Sequence, residues 1–127
     1  TAQDHQAAAE QDIRGLVVLG GDVHANYVSD LRVDFDAAAS PIMATEFCGT
    51  SITSTGLPND RVMNARRLNP HLHHARSDER GFVAFEIDER SLRAELMVVD
   101  DVLDPASGIR TAARFAVDPR QPGAQRG

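Results

Sequence analysis

The run Leu16-Val17-Val18-Leu19-Gly20-Gly21-Asp22-Val23-His24 constrains this chain more than any other, because it leads an apolar segment through two glycines to two potential metal ligands. Four consecutive apolar residues bounded by glycines read as a short, fully buried strand of the kind found inside a layered α/β sheet. Gly20 and Gly21 carry no Cβ, so the backbone is free there to turn sharply or to approach a ligand closely. If the segment stays extended, Asp22 and His24 point the same way and Val23 faces back into the core. A carboxylate and an imidazole then project together from the carboxyl end of a strand, where open α/β sheets bind ligands. A plainer reading, with Asp22 capping a turn and His24 a hydrogen-bonded surface group, fits the same spacing. Two ligands also fall short of the three or more protein groups that a catalytic metal takes, so the others must come from elsewhere.

The flanking chain supports this segment. Residues 3 to 12 are strong helix formers without a wide apolar face, ended near Arg14-Gly15, and His5 among them is expected to face solvent. After His24 a period of two, Leu31, Val33 and Phe35 against Arg32, Asp34 and Asp36, indicates a half-buried strand. Residues 37 to 41 form a turn, and Ile42 to Gly49 a further strand in which Glu46 is expected to be edge-exposed or paired. The single cysteine, Cys48, lies between Phe47 and Gly49, which suits a buried structural thiol. Five hydroxyls in residues 50 to 56 either satisfy a loop backbone or line a polar cavity. A modest helix follows to about Leu68, with Asn59 or Asp60 as its N-cap and Asn69-Pro70 as its stop.

His71-Leu72-His73-His74 is the densest imidazole cluster. The Arg, Ser and Asp residues around it point to surface exposure, and the leading functional option there is a substrate or product contact by Asn69 or His71. Residues 81 to 88 and 92 to 99 then alternate as a β-hairpin with Val83, Phe85, Ile87, Leu92, Leu96 and Val98 on one face. A third strand over 109 to 117 completes an antiparallel meander. Residues 119 to 127, rich in Pro, Gly, Gln and Arg, are expected to be a disordered tail.

Whole classes of function fall away. The net charge is −6 and the arginines are interspersed with acids, which leaves no electrostatic footprint for nucleic acid or an anionic membrane surface. No segment reaches the ~20 apolar residues of a membrane span. There is no phosphate-binding glycine loop, no paired-cysteine metal site, no serine nucleophile elbow and no heptad seam.

Four landmarks in order, Val-Val-Leu-Gly-Gly-Asp-Val-His (17 to 24), Ala-Thr-Glu-Phe-Cys-Gly-Thr-Ser-Ile-Thr-Ser (44 to 54), Asn-Pro-His (69 to 71) and Glu-Arg-Gly-Phe-Val (79 to 83), resemble the C-terminal part of the alkaline phosphatase D, or PhoD-like, metallophosphoesterase family. Phe82 departs from that pattern, where the family more often has Tyr. The resemblance implies an α/β (α+β) fold: the C-terminal part of an αββα sandwich, one buried strand followed by mixed and antiparallel strands ending in a three-stranded meander, over residues 1 to 118. It implies a phosphoric ester hydrolase acting through a metal-activated water, with iron and calcium as cofactors, exported to the bacterial periplasm or cell surface. Asp22 is then the first choice as a metal ligand and His24 the second. The family's remaining metal-binding motifs lie upstream and have no counterpart in this chain, and Cys48 does not match the family's ligand cysteine.

Several expectations follow. Thr1 in place of an initial Met suggests that an upstream portion has been removed. The partners are then a phosphate-ester substrate and the N-terminal portion of the same protein. The isolated chain is expected to be catalytically silent and to expose an apolar sheet face that drives self-association. The alternative from another class is a self-standing, non-catalytic β-rich binding module.

Overall fold

The computed structural model describes residues 13 to 37 and 39 to 127, so the expected helix over residues 3 to 12 and His5 lie outside the described residues. The first sheet contains β1 (Val17–Gly20), β2 (Asn26–Arg32), β3 (Ile42–Cys48) and β4 (Leu72–Arg76), in the order β1-β3-β2-β4. β1 runs parallel to β3, while β2 is antiparallel to both β3 and β4. A helix, α1 (Asn59–Leu68), connects β3 to β4. The second sheet is an antiparallel meander in simple chain order, β5 (Gly81–Ile87), β6 (Leu92–Val99), β7 (Ile109–Asp118) and β8 (Gln121–Arg126).

The two sheets pack face to face through their inward-facing alternate residues. Val28 and Phe47 of the mixed sheet meet Ala94, Leu96, Ala113, Phe115, Val117 and Ala124 of the meander. Phe47 sits edge-on to Phe85 at 5.4 Å and to Phe115 at 6.4 Å, a geometry that favours aromatic pairs beyond their simple burial. Burying a Phe side chain contributes about 1.5–3 kcal/mol, so the buried rings of Phe47 and Phe115 anchor the contact between layers.

The structure corrects five expectations. β1 is an edge strand rather than a fully buried one, with Leu19 61% exposed and Val18 also open to solvent. The strand after His24 starts earlier and ends sooner than its alternation suggests: it spans Asn26–Arg32, leaving Val33 and Phe35 exposed in the following turn. Its buried Asn26 and Asp30 are held by side-chain hydrogen bonds to other elements, so the strand does not need an apolar pattern. α1 begins after Pro58 with no side-chain cap, because Asn59 Oδ1 instead accepts the backbone N–H of Ser77 at 3.0 Å. The cluster at residues 71 to 74 is not a surface group, since His74 is buried and His73 half-buried. Finally, the expected disordered tail forms β8, paired along β7 from Phe115↔Arg126 to Asp118↔Gln121.

β8 owes its order to tertiary partners rather than to its own composition. The Ala124 N–H donates to Asp30 Oδ1 at 3.0 Å, and Arg126 lies over the Phe115 ring at 4.8 Å. Gly123 takes φ +92° beside Asp30, where a Cβ would come within 2.8 Å of the carboxylate, so only glycine lets the backbone reach it.

Candidate metal centre

β1 delivers the Gly20-Gly21-Asp22-Val23-His24 loop at its carboxyl end. The sharp turn for which the glycines leave freedom falls instead on Asp22 (φ 77°) and His24 (φ 57°), the two non-glycine residues with positive φ among the described residues. Val23 is half exposed rather than returned to the core. The loop is therefore not extended, and the simple rule that residues two apart share a direction does not place these side chains. Left-handed backbone at a non-glycine residue costs of order 1–3 kcal/mol, and such strain persists where the surroundings over-determine it.

Those surroundings can be named. His24 Nδ1 lies 2.8 Å from the Thr55 carbonyl oxygen. A carbonyl can only accept, so Nδ1 carries the proton and the neutral ring keeps its lone pair on Nε2. Metal-binding imidazoles are commonly held this way, with the other ring nitrogen donating to a carbonyl or carboxylate. The side chain of Asp22 is exposed and has no hydrogen-bond partner among the described residues, which leaves its carboxylate available.

The residues behind this loop escape a reading based on spacing. Arg80, only 8% exposed, donates to the Ser51 hydroxyl at 2.6 Å, to the carbonyls of Ser54 and Ser77, and to the His24 carbonyl at 3.3 Å. The hydroxyl-rich segment thus satisfies loop backbone: Thr50 Oγ1 donates to the Glu79 carbonyl at 2.9 Å, and Ser51 Oγ to that of Ser54. Asn26 Oδ1 accepts the Thr50 N–H at 2.9 Å. A Cβ at Gly56 would collide with the His24 carbonyl oxygen, so this position must be glycine for the two loops to meet. Arg80 could have been suspected from its place in the Glu-Arg-Gly landmark, but nothing in its spacing says which carbonyls it holds.

The two other predicted site residues precede β4, at the end of that strand away from Asn26. Asn26 pairs with Arg76, whereas Ser29 pairs with Leu72. His71 is five residues before Arg76, roughly 16 Å along the strand direction at about 3.3 Å per residue. Its ring packs edge-on to Phe35 at 4.9 Å, and burial lowers its pKa below the usual imidazole value. Asn69 closes α1, its amide donating to the Ala65 carbonyl at 2.6 Å. A cleft of about 540 Å³ along the mixed sheet connects the two ends, running from Gly20, Gly21 and Val23 past Tyr27, Glu46 and Cys48 to Phe35 and His71. Cys48 is buried, and burial together with Glu46 pushes its thiol up, away from the thiolate that a metal requires. Among the described residues, no three His, Cys, Asp or Glu side chains form a group able to hold a metal. The donor set present, one free carboxylate and one oriented imidazole, fits a shared site to which this chain contributes a part.

Comparison with known proteins places this arrangement. The sequence model of the PhoD-like phosphatase family matches residues 3–96. Alkaline phosphatase D of Bacillus subtilis (strain 168) is 36% identical over 116 residues, which is 89% of this chain and 20% of that protein. A solved structure of PhoD superposes with a TM-score of 0.87 at 32% identity, covering 98% of this chain and 24% of that one. The fold is thus that of a phosphatase-related, two-sheet layered domain, present here as a minor share of its relatives' length. The chain belongs to the PhoD-like phosphatase family. No helix among the described residues is long and apolar enough to cross a membrane.

Proposed function

We propose that this chain is the portion of a metal-dependent phosphoric ester hydrolase that supplies Asp22 and His24 to a metal site completed by the N-terminal portion of the same protein. The observation that carries the reading is the His24 loop: a strained backbone, a ring nitrogen committed to a carbonyl, and the other nitrogen left as a donor. Iron and calcium are the proposed metals, since a carboxylate and an imidazole suit hard or borderline cations better than thiolate-rich zinc chemistry. When bound, such metals neutralise phosphoryl oxygens and lower the pKa of a coordinated water from about 16 towards 7. Asp22 brings negative charge and oxygen donors, His24 brings Nε2, and Thr55 fixes the ring tautomer.

The substrate is a phosphate ester, monoester or diester. In this reading Asn69 and His71 serve the remote end of an ester lying along the cleft that His71 shares with Gly20, Gly21 and Val23. The proposed setting is the bacterial periplasm or cell surface.

The test compares the 127-residue chain with its full-length parent, each purified to homogeneity. The parent is expected to retain metal by elemental analysis and to hydrolyse p-nitrophenyl phosphate or its bis ester, and the chain alone to do neither. Hydrolysis by the chain alone, or a parent whose metal content survives Asp22→Asn and His24→Ala, defeats the proposal.

A further inference from the structure

We infer that Arg80 is a positioning residue for the metal ligand His24, an inference that rests on the metal-site reading above. Every hydrogen-bond acceptor recorded for its buried guanidinium is neutral: the Ser51 hydroxyl and the carbonyls of Ser54, Ser77 and His24. Arginines elsewhere in the chain that form ion pairs, such as Arg76, Arg93, Arg110 and Arg120, lie at the surface beside carboxylates. Asp78 acts on this cation electrostatically without bonding to it, and a buried cation whose hydrogen bonds all go to backbone and hydroxyl groups is expensive unless the fork geometry serves a purpose.

That purpose is readable from the partners. One guanidinium ties the loop after β1, through the His24 carbonyl, to the loop after β3, through Ser51 and Ser54. The second of these loops also carries Thr55, whose carbonyl accepts the His24 ring proton. Arg80 therefore holds both the backbone that carries the imidazole and the acceptor that sets its tautomer. Gly56 lies directly against the His24 carbonyl that Arg80 holds. A lysine at position 80 keeps the charge but, as a point donor, cannot bridge both loops at once.

The experiment uses the full-length parent with Arg80→Lys, Gly56→Ala and, as a control for mere loosening of the fold, Val98→Ala in the core of the meander. Two quantities are read well below the melting temperature: metal affinity by competition with a chelator, and the His24 ring tautomer in metal-free protein by nitrogen-15 NMR. Arg80→Lys and Gly56→Ala are expected to weaken metal binding about 10- to 100-fold, the range for partners behind a ligand, and to mix the tautomers. Val98→Ala is expected to lower the melting temperature and leave both readouts alone. Metal affinity within twofold of wild type in folded Arg80→Lys and Gly56→Ala overturns the inference, and Gly56→Ala decides alone if Arg80→Lys does not fold. If His24→Ala also leaves metal binding unchanged, the metal-site reading itself has failed. If His24→Ala abolishes it while the two positioning variants do not, only the role of Arg80 has failed.

Discussion

Two regions of this molecule are built around histidine, and they spend it in opposite ways. At residues 71 to 74 three imidazoles crowd one short segment, yet each is absorbed by the fold. His73 Nε2 pairs with the buried Asp30 at 2.8 Å, His74 is enclosed against Phe115, and His71 packs on Phe35. At residue 24 a single imidazole is set on a strained, exposed loop with one nitrogen committed and the other free. Density of ligand-type residues therefore does not make a site. What distinguishes the two regions is whether the ring is packed into the fold, as His71 and His74 are, or oriented by one nitrogen and left open at the other.

The comparison breaks most sharply under deletion. In the full-length parent, His24→Ala is expected to reduce kcat/KM by roughly 10³-fold, the equivalent of about 4 kcal/mol of lost electrostatic stabilisation at the phosphoryl group. His73→Ala, measured in the same assay, is expected to stay within a few-fold of wild type. Equal losses in the two variants would erase the distinction.

The next effect is one of stability. Asp30 accepts from both His73 and the Ala124 N–H, joining β2, β4 and β8. Asp30→Ala leaves a buried N–H unpaired and is expected to lower unfolding free energy by about 2–3 kcal/mol, the range for hydrogen bonds to a charged group. Denaturant midpoints check this, and exchange of the residue 121–126 amides should rise first. Metal affinity in the parent is expected to hold, because Asp30 lies on the cluster's side of the contrast.

These two regions also mark what the sequence discloses. The hairpin from 81 to 99 is legible because its inner face is uniformly apolar and its period is two. β2 is only partly legible: Asn26 and Asp30 break any apolar alternation, and their partners Thr50, His73 and Ala124 make them tolerable in a buried strand. β8 is hidden for a related reason, since its Pro-Gly composition argues for disorder and its order rests on Asp30 and Phe115, distant in the chain. The identities of Asp22 and His24 stand out from their spacing and family resemblance. Their left-handed backbone and the Arg80 brace do not, because they depend on residues 31 and 56 positions away in sequence.

A pH titration sharpens the contrast further. Burial, reinforced by the nearby Arg126, lowers the His74 pKa to about 4 against an opposing pull from Glu79. The folded state thus favours the neutral ring, whereas the unfolded chain protonates near 6.5. Stability contributed by this residue is complete above pH 6.5 and is lost as pH falls towards 4, with a slope of up to about 1.4 kcal/mol per pH unit. Urea midpoints across pH 4–7 should show the decline, and His74→Leu should flatten it. An unchanged slope in that variant assigns the acid sensitivity elsewhere.

The smallest expected effect tests whether the cluster touches function at all. His71 borders the same cleft as Gly21 and Val23, but at its opposite end. If an ester extends along that cleft, His71→Ala removes at most one hydrogen bond to its far end. One neutral hydrogen bond contributes about 0.5–1.5 kcal/mol, or a two- to tenfold rise in KM with kcat unchanged. That rise should appear only with esters whose leaving group is long enough to reach along the cleft from the Gly20–His24 loop to His71, and should vanish with p-nitrophenyl phosphate. A loss seen equally with short and long esters would mean that His71 acts through the stability of the strand, like its neighbours His73 and His74. The functional imidazole would then be His24 alone.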